Sequence, residues 1–263
     1  MSRITDTFTR LHRRGRRALI PFIMAGDPDL STTRELVVEL AHSGADIIEL
    51  GVPFSDPIAD GPVIQRASQR ALQNPVGVSE VLEVVKDVRA ETEVPLILFS
   101  YLNPLLRFGA ARLAQEAARA GVDGLLITDL TPDESEEFHA AMNESGLESI
   151  YLAAPTSTDK RLRLIAERAR GFIYAVSRTG VTGARQEMSS DAEALVARLR
   201  ALTSLPVAVG FGISSAEQVA DVWRYADGAV VGSAIVAEME RREGQPDFVT
   251  SIGKFTRSLL PVE

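Results

Sequence analysis

The segment that decides the fold is residues 46–62, which read DIIELGVPFSDPIADGP. It begins as an uninterrupted apolar run, breaks into a loop rich in proline and carboxylates, and leads into a helical pattern from Val63. Such a run is typical of a parallel strand that is covered on both faces. The run contains Glu49, and an unpaired carboxylate in a buried strand costs several kcal/mol or becomes protonated. The segment therefore predicts a buried strand whose end carries acid–base chemistry.

Seven further apolar runs of this kind occur along the chain, and patterns with helical periodicity separate them. The predicted strands are Ala18–Met24, Asp46–Val52, Pro95–Tyr101, Gly124–Asp129, Ser149–Ala153, Phe172–Ser177, Pro206–Phe211 and Gly228–Val231. Eight strand–helix units in about 250 residues predict a (β/α)8 TIM barrel. We expect residues 1–263 to form one such domain, preceded by a short N-terminal helix in which Ile4, Phe8 and Leu11 share a face.

A weak internal repeat supports this architecture. Residues 41–46 (AHSGAD) and 118–123 (ARAGVD) each end a helix at glycine and enter a strand past an aspartate, and residues 224–228 (RYADG) are a looser copy. Repetition of this kind is expected of stacked strand–helix units. The rival architecture is a doubly wound open sheet. The Gly-x-Gly-x-x-Gly turn expected after its first strand is absent, and residues 25–28 read AGDP instead.

Composition limits the class of protein. The net charge of −8 argues against a nucleic-acid or anionic-membrane binder, and no apolar run reaches the ~20 residues that a membrane span needs. The absence of cysteine excludes disulfides and thiolate chemistry and favours a reducing, cytoplasmic location. No metal-ligand spacing occurs, so we expect no metal. The basic residues 12–17 could belong to a targeting peptide or a nucleic-acid arm, but a solvated helix end is favoured because a strand follows at once.

In a barrel the active site lies at the carboxyl ends of the strands. This rule places Glu49, Asp56 and Asp60 at one rim together with Tyr174 of the sixth strand and the glycine-rich loop 178–183. Two carboxylates in different environments are typical of proton-transfer chemistry. Two structural alternatives stay open: Asp60 could cap the helix that follows it, and Glu49 could be half of a buried ion pair.

The same rim has features of a phosphate site. Gly212 and Gly232 end the seventh and eighth strands, and Ser233 begins a short helix whose first amides would be free. Amides of the last two loops and of such a helix bind phosphate in these barrels, without requiring a basic side chain. Four apolar residues are expected to line the barrel mouth and to suit a flat aromatic ligand: Phe22, Ile64, Phe99 and Phe211. Each glycine could instead make a turn only, and each apolar residue could belong to the core.

The residues also resemble a known family. The stretch ELGVPFSDPIADGP, residues 49–62, is similar to the active-site segment of tryptophan synthase alpha subunits. Further similar stretches are PFIMAGDP (21–28), YLNP (101–104), TDL (128–130), SRTGVTG (177–183), GFGIS (210–214) and GSAIV (232–236), so the resemblance covers almost the whole chain. A departure is Thr131, where the family commonly has proline.

The resemblance implies a function. The family cleaves indole-3-glycerol phosphate, by a retro-aldol reaction, to indole and glyceraldehyde 3-phosphate. By resemblance, Glu49 and Asp60 are the catalytic pair and Tyr174 positions Glu49 or the substrate. Thr182 would close the sixth loop onto Asp60, and Gly183 would join the phosphate-binding residues.

The resemblance also implies a partner. A beta subunit carrying pyridoxal phosphate would receive the indole within an alpha2beta2 heterotetramer, and no cofactor is expected on this chain. Pro53, Asp56 and Asn103 match positions at that contact. Two other functions stay open: a non-catalytic subunit that binds ligand and activates its partner, and a free-standing indole-releasing lyase.

Overall fold

Eight parallel strands pair in sequence order in the described part of the chain, and β8 pairs with β1 to close a barrel. The structure is a computed structural model that describes residues 2–176, 185–210 and 212–261, without the side chains of 185–189. The strands are β1 Ala18–Met24, β2 Ile48–Gly51, β3 Leu96–Ser100, β4 Gly124–Ile127, β5 Glu148–Ala153, β6 Ile173–Val176, β7 Val207–Gly210 and β8 Gly228–Val231. The predicted TIM barrel is confirmed, and the open sheet is excluded.

The first and last strands have the predicted bounds, and the other six differ by one to two residues at one or both ends. The second strand shows why. Asp46 lies before β2, where its carboxylate accepts a hydrogen bond of 3.0 Å from the Leu19 amide. The Asp46 side chain therefore binds the neighbouring strand at the amino end of the barrel. The pairing of β2 with β1 and β3 begins only after Asp46 in the chain.

Helices surround the barrel. They are α1 Arg3–Arg13, α2 Leu30–His42, α3 Pro62–Ala71, α4 Val78–Val88, α5 Leu102–Phe108, α6 Ala110–Ala120, α7 Glu136–Glu144, α8 Asp159–Arg168, α9 Arg185–Arg200, α10 Ala216–Trp223, α11 Ser233–Arg242 and α12 Phe248–Ser258. A 3-10 turn, Pro132–Glu134, precedes α7. The apolar faces of these helices pack on the outer face of the strands in one large core.

Helix α1 closes the amino end of the barrel. Ile4, Phe8 and Leu11 are buried on the face predicted from their spacing, and the rings of Phe8 and Phe172 lie 5.6 Å apart. Ser2 caps the helix by accepting a hydrogen bond of 3.1 Å from the Thr5 amide. The basic segment after the helix is exposed or partly exposed, as predicted. Because this end is closed, a ligand enters the barrel from the opposite rim.

The interior of the barrel is filled by apolar side chains from alternate positions of the strands. Ile20, Ile47 and Ile97 belong to this inner cluster. Since side chains two residues apart on a strand share a face, Phe22 and Glu49 point to the same interior, one layer nearer the carboxyl rim. The register confirms that they are neighbours, because Phe22 of β1 is aligned with Glu49 of β2.

Candidate active site

Glu49 is a buried acid inside the barrel. It is 1% exposed, and its Oε1 atom has no hydrogen-bond partner among the described residues. Burial raises the pKa of Glu49 to about 8, because the charged form would lose its hydration. No described cation pairs with it, so the ion-pair alternative has no support in this part of the chain. At neutral pH the side chain is mostly protonated and can donate a proton.

Tyr174 shares this interior. It is buried in the inner cluster and belongs to β6. Burial raises the pKa of its phenol, and the charge of Glu49 raises it further. The space for the ring depends on Gly210 of β7, where a Cβ atom would overlap the phenol group. A glycine at this strand end therefore allows Tyr174 to lie across the barrel near Glu49.

Asp60 lies in the loop between β2 and α3, and it is half-buried. Desolvation raises the pKa of its carboxyl to about 6, and a hydrogen bond from the Tyr101 phenol opposes that rise. The Tyr101 oxygen also accepts a hydrogen bond of 2.9 Å from the Ala59 amide. Gln65 donates to the Asp60 carbonyl at 2.9 Å. The loop is thus fixed from β3 and from α3, and the Asp60 side chain is mostly ionised at neutral pH.

The helix-cap alternative for Asp60 does not hold. The N-cap of α3 is Gly61, with Pro62 at the first helical position, and no described side chain caps this helix. Asp60 lies one residue outside the cap, and its carboxylate bonds to Tyr101 instead. Its carboxylate is therefore not required to begin the helix.

An apolar wall lies beside Glu49, because Phe22 of β1 is aligned with it. The rings of Phe22 and Phe99 meet edge to face, with centroids 5.2 Å apart, and Ile64 packs on the same cluster. Gly51 leaves room for Phe22, since a Cβ there would lie 2.7 Å from its Cζ atom. Phe22, Phe99 and Ile64 are therefore together, as predicted.

Two of the predicted phosphate residues, Gly232 and Ser233, lie at the start of α11. Gly232 is its N-cap and Ser233 its first residue, and no described side chain caps this end. The neighbouring helix α10 differs, because Ser215 caps it by accepting from the Gln218 amide. Gly212 has a φ of 72° and an exposed backbone. The first amides of α11 have no partner within the helix, so they are free to bind an anion.

Gly232 also brings the start of α11 next to the apolar wall that contains Phe22. A Cβ at Gly232 would lie 3.5 Å from the Cβ of Phe22. The start of α11 and the aromatic wall are therefore in contact, which suits one ligand with both an aromatic and an anionic end.

Three predicted site residues lie outside the described residues: Thr182, Gly183 and Phe211. The predicted partner-contact residues lie in the loop after β2 and in the first turn of α5, which follows β3. Asp56 and Asn103 are exposed, whereas Pro53 is buried. Ile58, beside Asp56, is 79% exposed, which is unusual for a large apolar side chain.

Sequence reasoning missed the functional contribution of Tyr101 and Gln65. The sequence places Tyr101 at the end of the predicted strand Pro95–Tyr101 and in the family-like stretch 101–104. The available signal was this position at a strand end, on the rim that carries Asp60. Gln65 lies one turn into α3, where a side chain can reach back to the preceding loop.

A separate cavity of about 430 Å³ opens at the ends of β4 and β5. Its polar lining is already engaged in part, since Arg161 pairs with Asp133 at 2.9 Å and Tyr151 bonds to Ser135 at 2.7 Å. Glu49 and Asp60 do not line it. The cavity is therefore separate from the two acids.

Within the described ranges no cluster of three or more histidine or acidic residues is arranged to hold a metal ion. The same ranges contain no helix that is long and apolar enough to cross a membrane.

Comparison with known proteins shows which family this chain is similar to. A family model for the tryptophan synthase alpha chain matches residues 8–257. The tryptophan synthase alpha chain of Solibacter usitatus is 49% identical over 259 residues, which cover 98% of this chain and 97% of the relative. The crystal structure of tryptophan synthase subunit alpha from Legionella pneumophila superposes with a TM-score of 0.91 at 38% identity, covering 98% of this chain and 97% of the other. A chain of the tryptophan synthase complex from Pyrococcus furiosus superposes with a TM-score of 0.83 at 36% identity, covering 92% and 97%.

Proposed function

The chain belongs to the family of tryptophan synthase alpha chains, and we propose that it cleaves indole-3-glycerol phosphate to indole and glyceraldehyde 3-phosphate. The general class, a lyase subunit of tryptophan biosynthesis, follows from the family. The observation that carries the specific reaction is the pair of acids with different pKa values at one barrel mouth: Glu49 at about 8 and Asp60 at about 6.

The reaction moves two protons. The indole C3 atom gains one, which makes the ring able to accept electrons, and the adjacent side-chain hydroxyl loses one. The bond between C3 and the glycerol carbon then breaks, its electron pair returns to the ring, and the carbon becomes the aldehyde of glyceraldehyde 3-phosphate. Glu49 donates the first proton from its neutral form and, as a carboxylate, accepts the second.

Asp60 supports the charge that develops during this step. Protonation of C3 places positive charge on the indole nitrogen, and an ionised carboxylate that accepts a hydrogen bond from the N–H stabilises it. The bond from Tyr101 helps to keep Asp60 ionised at neutral pH. Tyr174, buried beside Glu49, orients the acid or the substrate.

The remaining groups hold the two ends of the substrate. The indole ring would pack against Phe22, Phe99 and Ile64, which form one cluster. The phosphate would bind the amides at the start of α11, with Gly212 and Gly232 allowing close approach of the backbone. We further propose that Thr182, Gly183 and Phe211 complete the pocket.

We expect the indole to pass to a beta subunit within an alpha2beta2 heterotetramer, and we expect this complex to be cytoplasmic. Asp56 and Ile58 in the loop after β2, and Asn103 in the first turn of α5, expose their side chains for this contact. Pyridoxal phosphate belongs to that partner in this proposal.

Residues 1–263 act as one catalytic domain. The non-catalytic activator is disfavoured, because it would not require a buried, unpaired Glu49.

The test is incubation of the purified chain with indole-3-glycerol phosphate, with and without a beta subunit, followed by measurement of indole. Glu49→Gln and Asp60→Asn should each lower the rate at least 100-fold, because each removes a group that acts on the reacting ring. Two variants are matched controls. Glu148→Gln changes another largely buried strand acid, at the amino end of β5, and Asp56→Asn, assayed without the beta subunit that Asp56 is proposed to contact, changes an exposed acid of the same loop as Asp60.

Folded wild-type protein that releases no indole under either condition would refute the proposal. Turnover by Glu49→Gln near that of Glu148→Gln would refute the role of Glu49. Indole release that is equally fast without a partner would instead favour the free-standing lyase.

A further inference from the structure

An ion-pair network joins three elements behind the site. Arg70 of α3 binds Asp27, in the loop after β1, through two hydrogen bonds of 2.8 Å. The same guanidinium reaches Glu240 of α11 at 3.0 Å. Arg66, one turn earlier on α3, binds both carboxylate oxygens of Glu240, at 2.6 and 2.7 Å. Four charged side chains thus connect β1, α3 and α11.

Part of this network is buried, which distinguishes it from an ordinary surface ion pair. Asp27 is 2% exposed, so its carboxylate depends on Arg70 for compensation. The bidentate geometry needs the planar fork of arginine, which lysine cannot reproduce. The hydrogen bond from Arg66 lowers the pKa of Glu240 to about 2, so Glu240 is ionised at neutral pH.

Apolar packing connects the same three elements. Phe22 and Met24 of β1, Ala67 and Ala71 of α3, and Val236 of α11 form one cluster. The loop after β1 also approaches the end of α3 closely, since a Cβ at Gly26 would lie 3.4 Å from that of Ala71. Because interiors are closely packed, a shift of α11 relative to β1 is transmitted to α3.

The two helices begin at different functional groups. Helix α3 begins two residues after Asp60, and α11 begins at the amides proposed to bind phosphate. The network joins these two helices further along their lengths, with Arg70 and Glu240 in their last turns, so it links the helix that follows Asp60 to the helix that begins at the phosphate amides. The mechanism described above does not use any of its four residues.

We propose that Asp27, Arg70 and Glu240, with Arg66, are positioning residues that couple occupation of the phosphate site at α11 to the placement of Asp60 at the start of α3. This inference rests on the proposed function. Coupling of this kind is reciprocal: a phosphate ester tightens the binding of indole, and indole tightens the binding of the ester by the same factor.

The experiment measures this factor directly. The dissociation constant of indole for the whole chain is determined by calorimetry with and without saturating glycerol 3-phosphate. We expect the ester to tighten indole binding about fivefold or more in the wild type, within the usual range of such couplings. Glu240→Gln and Arg70→Lys should bring the factor close to one. In turnover, kcat/KM should fall about fivefold or more, because the substrate occupies both sites and loses the coupling free energy between them.

Glu238→Gln is the matched control. Glu238 is on the same helix and also pairs with arginines, but those are Arg241 and Arg242 of α11 itself. It should keep the coupling factor and kcat/KM of the wild type. Arg66→Gln is a second test variant. Because Arg66 is exposed, this variant can still test the network if Arg70→Lys proves unstable.

The outcomes separate this inference from the proposed function. Failure of the wild type to release indole from indole-3-glycerol phosphate refutes the function. A wild type that cleaves the substrate, yet binds indole equally with and without the ester, refutes the coupling. The coupling is also refuted if Glu240→Gln and Arg66→Gln cleave the substrate and keep the full coupling factor of the wild type. Loss of coupling in these variants but not in Glu238→Gln supports it.

Discussion

The phenol oxygen of Tyr101 accepts a hydrogen bond of 2.9 Å from the main-chain amide of Ala59. Tyr101 follows β3 directly and is 3% exposed, so a rigid part of the barrel holds the loop that carries Asp60. The same phenol hydrogen-bonds the Asp60 carboxylate and lowers the pKa of Asp60 against the effect of burial. One side chain therefore sets both the position and the charge of the second acid.

Tyr101→Phe tests this relationship. The variant loses the bond to the Ala59 amide and the bond that favours the ionised form of Asp60. Each bond is worth about 1–2 kcal/mol, so kcat/KM for indole release should fall about 5- to 30-fold. The acid limb of the pH–rate profile should move to higher pH, because the pKa of Asp60 rises. Tyr151→Phe removes the phenol that bonds Ser135, away from the site, and should leave the profile unchanged.

The pH dependence of the wild type follows from the two acids. Asp60 must be ionised, so kcat/KM should rise with pH through about 6. Glu49 must be protonated to donate to the indole ring, so kcat/KM should fall as pH rises through about 8. A bell-shaped profile with its maximum between these values is expected. In Asp60→Asn the acid limb should disappear from the residual activity; its persistence would assign that limb to another group.

Glu49 should also make stability depend on pH. Its folded pKa of about 8 lies above the ordinary value of 4.5 for a glutamate, so the folded state binds the proton more tightly than the unfolded state. The stabilisation from the neutral acid is complete below about pH 4.5 and is lost as pH rises through about 8. Glu49→Gln has no proton to lose. Its free energy of unfolding should match that of the wild type near pH 5 and exceed it by a few kcal/mol near pH 9.

Urea unfolding at several pH values measures this difference. Parallel curves for Glu49→Gln and the wild type would mean that Glu49 is as well solvated or paired in the folded state as in the unfolded one.

Ser233→Asp tests the anion site at the start of α11. An acidic residue in the first turn of a helix interacts favourably with the free amides and stabilises the protein by about 0.3–1 kcal/mol. The same charge repels a bound phosphate, so KM for the substrate should rise at least about tenfold. Binding and stability should therefore change in opposite directions, as measured by steady-state kinetics and thermal melting. Thr158→Asp, at the N-cap of α8, should leave KM unchanged.

Gly51→Ala tests the place of Phe22. The new Cβ would lie 2.7 Å from Cζ of Phe22 and 3.1 Å from Sδ of Met24, so the ring must move. Overpacking of this kind costs about 1–3 kcal/mol of stability. KM should rise because the apolar wall is displaced, and a crystal structure of the variant should show a new Phe22 rotamer. An unchanged KM would indicate that Phe22 does not contact the substrate.

The fold was predictable because its signals are local. Apolar runs and helical patterns gave all eight strands in order, with β1 and β8 correct to the residue. Their bounds were less accurate where a polar residue such as Asp46 binds a neighbouring strand before its own ladder begins. The start of α11 at Ser233 was also correct, since a glycine–serine pair after a strand is a local signal.

The sequence by itself determined the barrel, the rim at which the acids gather and the family, because periodicity and motif are properties of short segments. Only the tertiary structure decided the pKa values of the two acids and the contacts that fix their positions. Tyr101 reaches Ala59 across 42 positions, and Arg70 reaches Asp27 across 43. The pKa of a buried acid depends on desolvation and on its neighbours in space, and packing of distant segments sets both.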